Sequence, residues 1–451
     1  MRIKPLIAGA ITIAAALSVA ACSSPTTTPT STPPSSAPAT SAVPTTSAPA
    51  PVTLEMSWWG DDNRAKLFDQ VIQLFTAKYP YITVNQKPVG SPDDLFNRLA
   101  TDFGSGGTTA PDVFALGGAK PQEYGAAGQL LDLATVKDIV QSDKFAAVGL
   151  TNGIVDGKLY ALPTGSNAIA MFVNTDILAQ AKVTMPTGAW KWADLISIAN
   201  QVGSANLKNA AGQPIYGLDL RVQDIFGTYL GQLSEYGLYT PQGTIGASAA
   251  DVASWYKIEK QLADGGGLPD PSVVAAGWAL TPDQAPFTLG QAAITFGYSN
   301  LAGTYGKGGA MVIIAPPTDT DRAGVAVLPS AFWAINAHSA HPTEAAMLVS
   351  WFLNEPEAAK LILDTRGVPF NPETAAVVAA NVKDPSMKLS DAYVSEVFAK
   401  GVVATPQPNG GANMNKYTQD GESSVLFGRA TPEEAAATFL AALQKDLDAA
   451  K

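Results

Sequence analysis

Four short clusters in this sequence set an aromatic side chain among small or polar neighbours. They are Trp58-Trp59-Gly60-Asp61-Asp62, Gly297-Tyr298-Ser299-Asn300, Phe332-Trp333, and Asn413 with Tyr417. Each falls at a strand end or a loop start in the hydropathy pattern. A sugar ring has C–H-rich faces that stack on aromatic planes and a hydroxyl rim that needs Asp, Asn and Arg. Stack and rim together predict reversible carbohydrate capture without covalent chemistry. Trp58 and Trp59 are neighbours on one strand and point to opposite faces, so either can be the core residue and the other the ring's partner.

Groups for catalysis are sparse. The two histidines, His338 and His341, lie in a polar turn before a helix and read as solvated or capping residues. Without a His or Cys cluster, zinc capture and His-based nucleophilic attack have little to draw on. No G-x-x-x-x-G-K-[ST] phosphate loop occurs either, and with all these motifs missing the expectation is no cofactor, no metal and no enzyme. The 39 acidic residues still leave a two-carboxylate glycosidase open by count.

Alternating strand and helix patterns must position these clusters. Val52, Leu54 and Met56 alternate with polar residues as a half-buried strand does, and Gly60-Asp61-Asp62 breaks it, with Asp62 placed to cap a helix. Leu67, Val71, Leu74, Phe75 and Tyr79 follow at helical spacing, and Tyr81 to Val84 returns to strand. Ser91-Pro92 supplies a cap and a first-turn proline ahead of Leu95, Leu99 and Phe103. Residues 110–116 read as the next buried strand. This order predicts an α/β fold with mainly parallel sheets covered on both faces. Further on, a helix runs from about Ala249 to the Gly265 stop, and Ala292 to Phe296 is a strand. Helices cover Thr343 to Phe352 and Pro356 to Leu363, and Thr431-Pro432-Glu433-Glu434 opens the last one. No repeat of 20–50 residues is present.

The N-terminus sets the compartment. Arg2 and Lys4 precede an apolar run from Leu6 to Ala21 that is too short for a comfortable membrane span and has signal-peptide flanks. It ends at Val19-Ala20-Ala21-Cys22, which resembles a bacterial lipobox and makes residues 1–21 a leader and Cys22 the lipidation site. Cys22 is the single cysteine of 451 residues, so no internal disulfide can form and stability must come from a large core. Residues 22–51, rich in Ser, Thr, Pro and Ala, read as a disordered tether, and a glycosylated stalk suits the same composition. Losing Arg2 and Lys4 takes the net charge from −11 to −13. That argues against nucleic acid and against a basic membrane-binding face.

The chain strongly resembles the extracellular solute-binding proteins of carbohydrate ABC importers, the group that includes maltose-binding protein. Pieces in the family's order carry the likeness: Trp58-Trp59-Gly60-Asp61, residues 75–80 (FTAKYP), residues 110–113 (APDV) and residues 126–133 (AAGQLLDL). Residues 156–163 (DGKLYALP), Asn174-Thr175-Asp176, residues 290–294 (GQAAI) and Arg366-Gly367-Val368-Pro369 follow. The resemblance implies a type II periplasmic-binding-protein fold of two lobes hinged around a central cleft. Lobe 1 is expected at 52–163 with about 304–345, and lobe 2 at 164–303 with about 346–451. The chain would cross near Leu162 to Thr164 and again around Tyr298 to Thr304. Carried over residue by residue, the ligand positions are Trp59, Asp61 and Asp62 with Trp58 beside them, then Asn167, Asp224 and Phe226. Tyr298 and Ser299 replace the family's usual Pro-Trp, and Leu116-Gly117 replace a larger contact residue. Ser330, Phe332, Arg366 and Tyr417 complete the set. The resemblance implies a sugar or short oligosaccharide as solute, permease subunits as partners, a lipid-anchored monomer and no nucleic acid. A polyol, glycerophosphodiester or peptide in the same transport role, a glycosidase and a sensor lipoprotein are the alternatives.

Overall fold

The computed structural model describes residues 49–400, 402, 405, 407, 408 and 410–450. The leader, Cys22 and most of the tether lie outside the described residues. Among those described, no helix is long and apolar enough to cross a membrane.

The alternation at the start forms β1 (Val52–Trp59), with Leu54, Met56 and Trp58 turned into the core. Asp61, not Asp62, caps the following helix Asp62–Lys78: its Oδ1 accepts from the Arg64 N–H at 2.9 Å. Next come β2 (Ile82–Val89), helix Pro92–Gly104 and β3 (Val113–Leu116). Ser91 caps that helix, its Oγ accepting from the Asp94 N–H at 3.2 Å. β1 lies between β2 and β3 and is parallel to both. A hairpin of β4 (Ile154–Val155) and β5 (Lys158–Leu159) precedes β6 (Ala161–Pro163).

The chain then leaves through β7 (Ser166–Asn167) and builds a second sheet from β8 (Ile169–Asn174), β9 (Tyr216–Asp219), β10 (Ala292–Tyr298) and β11 (Met311–Ile314), ordered β11-β8-β10-β9. It returns through β12 (Leu328–Pro329), which pairs with β7. It ends with β13 (Phe332–Ile335), which fills the slot between β3 and β6. The α/β class holds, but the sheets are mixed. β13 is antiparallel to both neighbours, and β8 is antiparallel to β10 and β11.

The expected lobe boundaries shift. β11 belongs to the second sheet, so the chain returns at β12–β13 and not around 298–304. Helices Pro342–Asn354 and Pro356–Ile362 follow β13 directly and bury Leu348, Trp351, Phe352 and Ala358 in the first core, whereas the resemblance implies the other half for about 346–451. A short connector leaves a helix no route except back over the sheet just completed. Helices Met414–Leu426 and Pro432–Ala449 do join the second core, against Ala249–Asp264. That core centres on Trp192, Tyr229, Trp255 and Phe226. The first core continues under one face of the second sheet through Phe172, Phe287 and Tyr305.

Candidate functional site

Three extended segments run side by side where the chain crosses between sheets. The Ser166 N–H donates to Val368 O at 2.6 Å and the Val368 N–H to Ser166 O at 3.0 Å. On the other side the Thr164 N–H donates to Ala331 O and the Ser330 N–H to Gly165 O, both at 2.9 Å. Gly367 makes the first approach possible. Its φ is +84°, and a Cβ there would sit 2.4 Å from Ser166 O. Ser330 Oγ donates to the Arg366 carbonyl and so fixes the loop that carries the arginine.

This junction floors a cavity of about 590 Å³, within the usual range for a small-molecule site. From the first sheet it is lined by Trp59 at the end of β1, Gly118 after β3 and Phe332 at the start of β13. From the second it is lined by Tyr298 at the end of β10 and by Asn300 and Leu301. Asn167, Leu328, Pro329, Ser330, Thr365 and Arg366 come from the junction, with Arg64, Gln122, Asn152, Thr405 and Gln407 around the rim. The site therefore lies off the carboxyl ends of β1 and β3, where open α/β sheets place their ligands.

Trp59 is half-buried, edge-on to Phe96 with ring centroids 5.9 Å apart. The Arg366 guanidinium sits over its ring at 5.2 Å and donates through Nη2 to Trp59 O at 3.2 Å. Arg64 folds back to the same carbonyl through Nη1 at 3.1 Å. It can do so because residue 60 is glycine: at φ +153°, a Cβ would stand 2.6 Å from Arg64 Nη1. Burial, then the charge of Arg64, pulls Arg366 down to about 9, so it is still charged at neutral pH. Burial also lowers Arg64, with Asp61 opposing. Asn167 is 5% exposed and its Oδ1 has no partner; Arg366 is 7% exposed and its Nε has none. Gln122 Oε1 and Asn152 Oδ1 are likewise buried and unpartnered. Buried polar atoms are normally satisfied, so a site with four such atoms suits a polar occupant. Tyr298 as a residue is 42% exposed, but crowding by the surrounding protein, then the charge of Asp224, pushes its hydroxyl up to about 12.

Of the expected residues, Trp59, Asn167, Tyr298, Phe332, Ser330 and Arg366 meet in this cavity, and Gly117 packs beneath Trp59. The others go elsewhere. Trp58 is fully buried against Phe68, because the alternation of β1 turns it away from Trp59. Phe226 is fully buried against Phe439. Ser299 is fully buried, its Oγ accepting from the Ala168 N–H at 3.2 Å. Asp61 is spent on capping and Asp62 is exposed in the first helical turn. Asp224 is held by Arg221 at 3.4 Å, and burial lifts it to about 6. Tyr417 donates to Asp446 Oδ2 at 2.7 Å on the second core's outer helices. Sequence reading missed Arg64, Gln122, Asn152 and Gln407. Arg64 did carry a signal: a cation in a helix's first turn opposes the helix dipole, so it needs a reason outside the helix.

Residues 70–388 match the family model described as bacterial extracellular solute-binding protein. The chain belongs to that family. Membership in this extracellular family implies export of the solute-binding protein. A Brucella abortus (strain 2308) relative that carries a binding-protein name is 27% identical over 266 residues, 53% of this chain and 62% of that protein. A periplasmic solute-binding protein from Pectobacterium atrosepticum shares the fold at TM-score 0.75 with 22% identity, covering 88% of this chain and 99% of its own. An oligogalacturonide-binding protein from Yersinia enterocolitica, solved with saturated digalacturonic acid, has TM-score 0.73, 22% identity and coverage of 88% and 99%. An ABC substrate-binding protein from Listeria monocytogenes, solved with cycloalternan, has TM-score 0.72, 20% identity and coverage of 88% and 99%.

Proposed function

We propose that this solute-binding protein captures a sugar or short oligosaccharide in the cavity, closes over it, and delivers it to the permease subunits of an ABC importer. It acts as a monomer, held to the outer face of the cytoplasmic membrane by a lipid on Cys22. The observation that carries the reading is the cavity lining. Trp59, Tyr298 and Phe332 offer ring faces, while the unpartnered Asn167 and Arg366 offer hydroxyl partners. Two neighbours of the same fold are named for saccharide ligands, which supports a sugar over a peptide. The junction of three extended segments is the natural hinge, since the chain passes between the two sheets there. A glycosidase is disfavoured because the described lining residues include no Asp or Glu to act as acid and base.

A thermal-shift screen across sugars, polyols and peptides tests the solute class. Binding at a hundredfold excess over Kd stabilises the protein by about 2.7 kcal/mol. Small-angle scattering with the hit should show a smaller radius of gyration. A panel in which only peptides shift the melting temperature would reject the sugar, and a hit without compaction would reject the clamp.

A further inference from the structure

The cavity is electrostatically one-sided. Two guanidiniums face it, and none of its described lining residues is a carboxylate. Neither Arg64 nor Arg366 forms an ion pair with any described residue. Both instead converge on one neutral acceptor, the Trp59 carbonyl. Arg366 stands 93% out of solvent with its Nε unsatisfied, and the like charge of Arg64 is felt beside it. A buried cation without a counter-charge is costly, and most proteins supply a carboxylate. Asp61 caps a helix, Asp224 pairs with Arg221, and Asp364, two residues before Arg366, neither lines the cavity nor forms an ion pair with it. Around the two arginines the remaining polar lining is uncharged, with amides at Gln122, Asn152, Asn167 and Asn300 and hydroxyls at Ser330 and Thr365.

We infer that the solute is an acidic saccharide, whose anionic group docks on Arg366 and Arg64 while its hydroxyls meet the amide-lined rim. This rests on the sugar-capture reading above and narrows it. The guanidinium fork suits a planar carboxylate and a phosphate ester alike. Trp59 then has two roles: its ring orients the Arg366 fork from behind, and its carbonyl holds both guanidiniums ready before the anion arrives.

Calorimetric titration of the purified protein with paired probes tests this. Digalacturonic acid is set against galactobiose, cellobiouronic acid against cellobiose, and glucose 6-phosphate against glucose, with sodium phosphate and sodium sulfate alone as further arms. At least one acidic probe should bind about 30-fold or more tightly than its neutral partner, and added salt should shrink the gap. The uronate and phosphate arms identify the anion. Arg366→Gln should abolish the preference and Arg64→Gln should reduce it, with thermal melts confirming that each variant is folded. The comparison on the unaltered protein decides the matter if a variant does not fold. Neutral partners binding as tightly as the acids would overturn the inference and leave sugar capture standing. Failure of every saccharide, including a result in which only the inorganic anions bind, would overturn both.

Discussion

Raising the pH above neutral should loosen the second core through Glu259 and Glu422. Both side chains are fully buried, on helices Ala249–Asp264 and Met414–Leu426. Each accepts from one indole: Trp255 Nε1 donates to Glu259 Oε1, and Trp278 Nε1 donates to Glu422 Oε2 at 2.6 Å. Their other oxygens, Glu259 Oε2 and Glu422 Oε1, have no partner, and no described Lys or Arg pairs with either acid. Burial lifts Glu422 to about 8; burial, then the charge of Glu422, lifts Glu259 well above the carboxylate range. The folded chain therefore keeps protons that the unfolded chain gives up near its ordinary carboxylate value. Native protein binds more protons than unfolded protein in that interval. The stabilisation is complete below the unfolded pKa of about 4.5 and declines as pH climbs through about 8. At about 1.36 kcal/mol per pH unit, Glu422 alone accounts for about 1 kcal/mol between about pH 7 and about pH 8.5, and Glu259 adds to it. Urea melts at those two pH values should show a loss of about 1–3 kcal/mol in the unaltered protein, against less than about half of that in Glu259→Gln/Glu422→Gln. Burial also lifts Asp391 to about 7, with Asp364 adding to it, but it contributes equally to both proteins and cancels in the comparison. Equal stability of the unaltered protein at both pH values, or a parallel fall in the double variant, would refute the reasoning.

Trp58→Ala should cost about 3–5 kcal/mol of apo stability in denaturant melts while leaving the affinity of the folded fraction little changed. Trp59→Ala should do the reverse, weakening solute binding about 30-fold or more by calorimetry, because it removes the ring face and the plane on which the Arg366 guanidinium rests. Gly367→Ala should lose about 1–3 kcal/mol, since its Cβ would meet Ser166 O and its φ is strained for alanine; a shifted urea midpoint reads this out. Cys22→Ala should release the protein to the medium or block its processing with no change in melting temperature, as fractionation and a thermal scan will show.

Most of the element plan was legible because local rules and tertiary packing agree in it. The Ser91-Pro92 and Thr431-Pro432 starts, the Gly265 stop and the β1 alternation all specify what the structure adopts. Partner choice was not legible. Nothing within β3 or β6 says that Phe332–Ile335 will come between them, and that placement makes the first sheet mixed. The same division runs through the site. Trp59, Asn167 and Tyr298 stand at strand ends and Arg366 in a tight turn, where a short motif fixes position. Asp224 and Phe226 instead depend on which face of helix Val222–Leu233 meets the core, and that helix turned Phe226 inward. Arg64 was hidden because its use depends on Gly60 leaving room for a side chain to double back.

The slot filled by β13 also orders events in time. β3 and β6 are not neighbours in the sheet, so the first sheet stays in two unjoined pieces until Phe332–Ile335 arrives from much later in the chain. Pairings this distant in sequence are slow to form, because the intervening loop must close before any contact rewards it. An N-terminal stretch ending before Phe332 thus has no complete sheet to lock it, however long it waits. For a chain of an exported family, that order postpones completion of the first sheet until the later segment has been made.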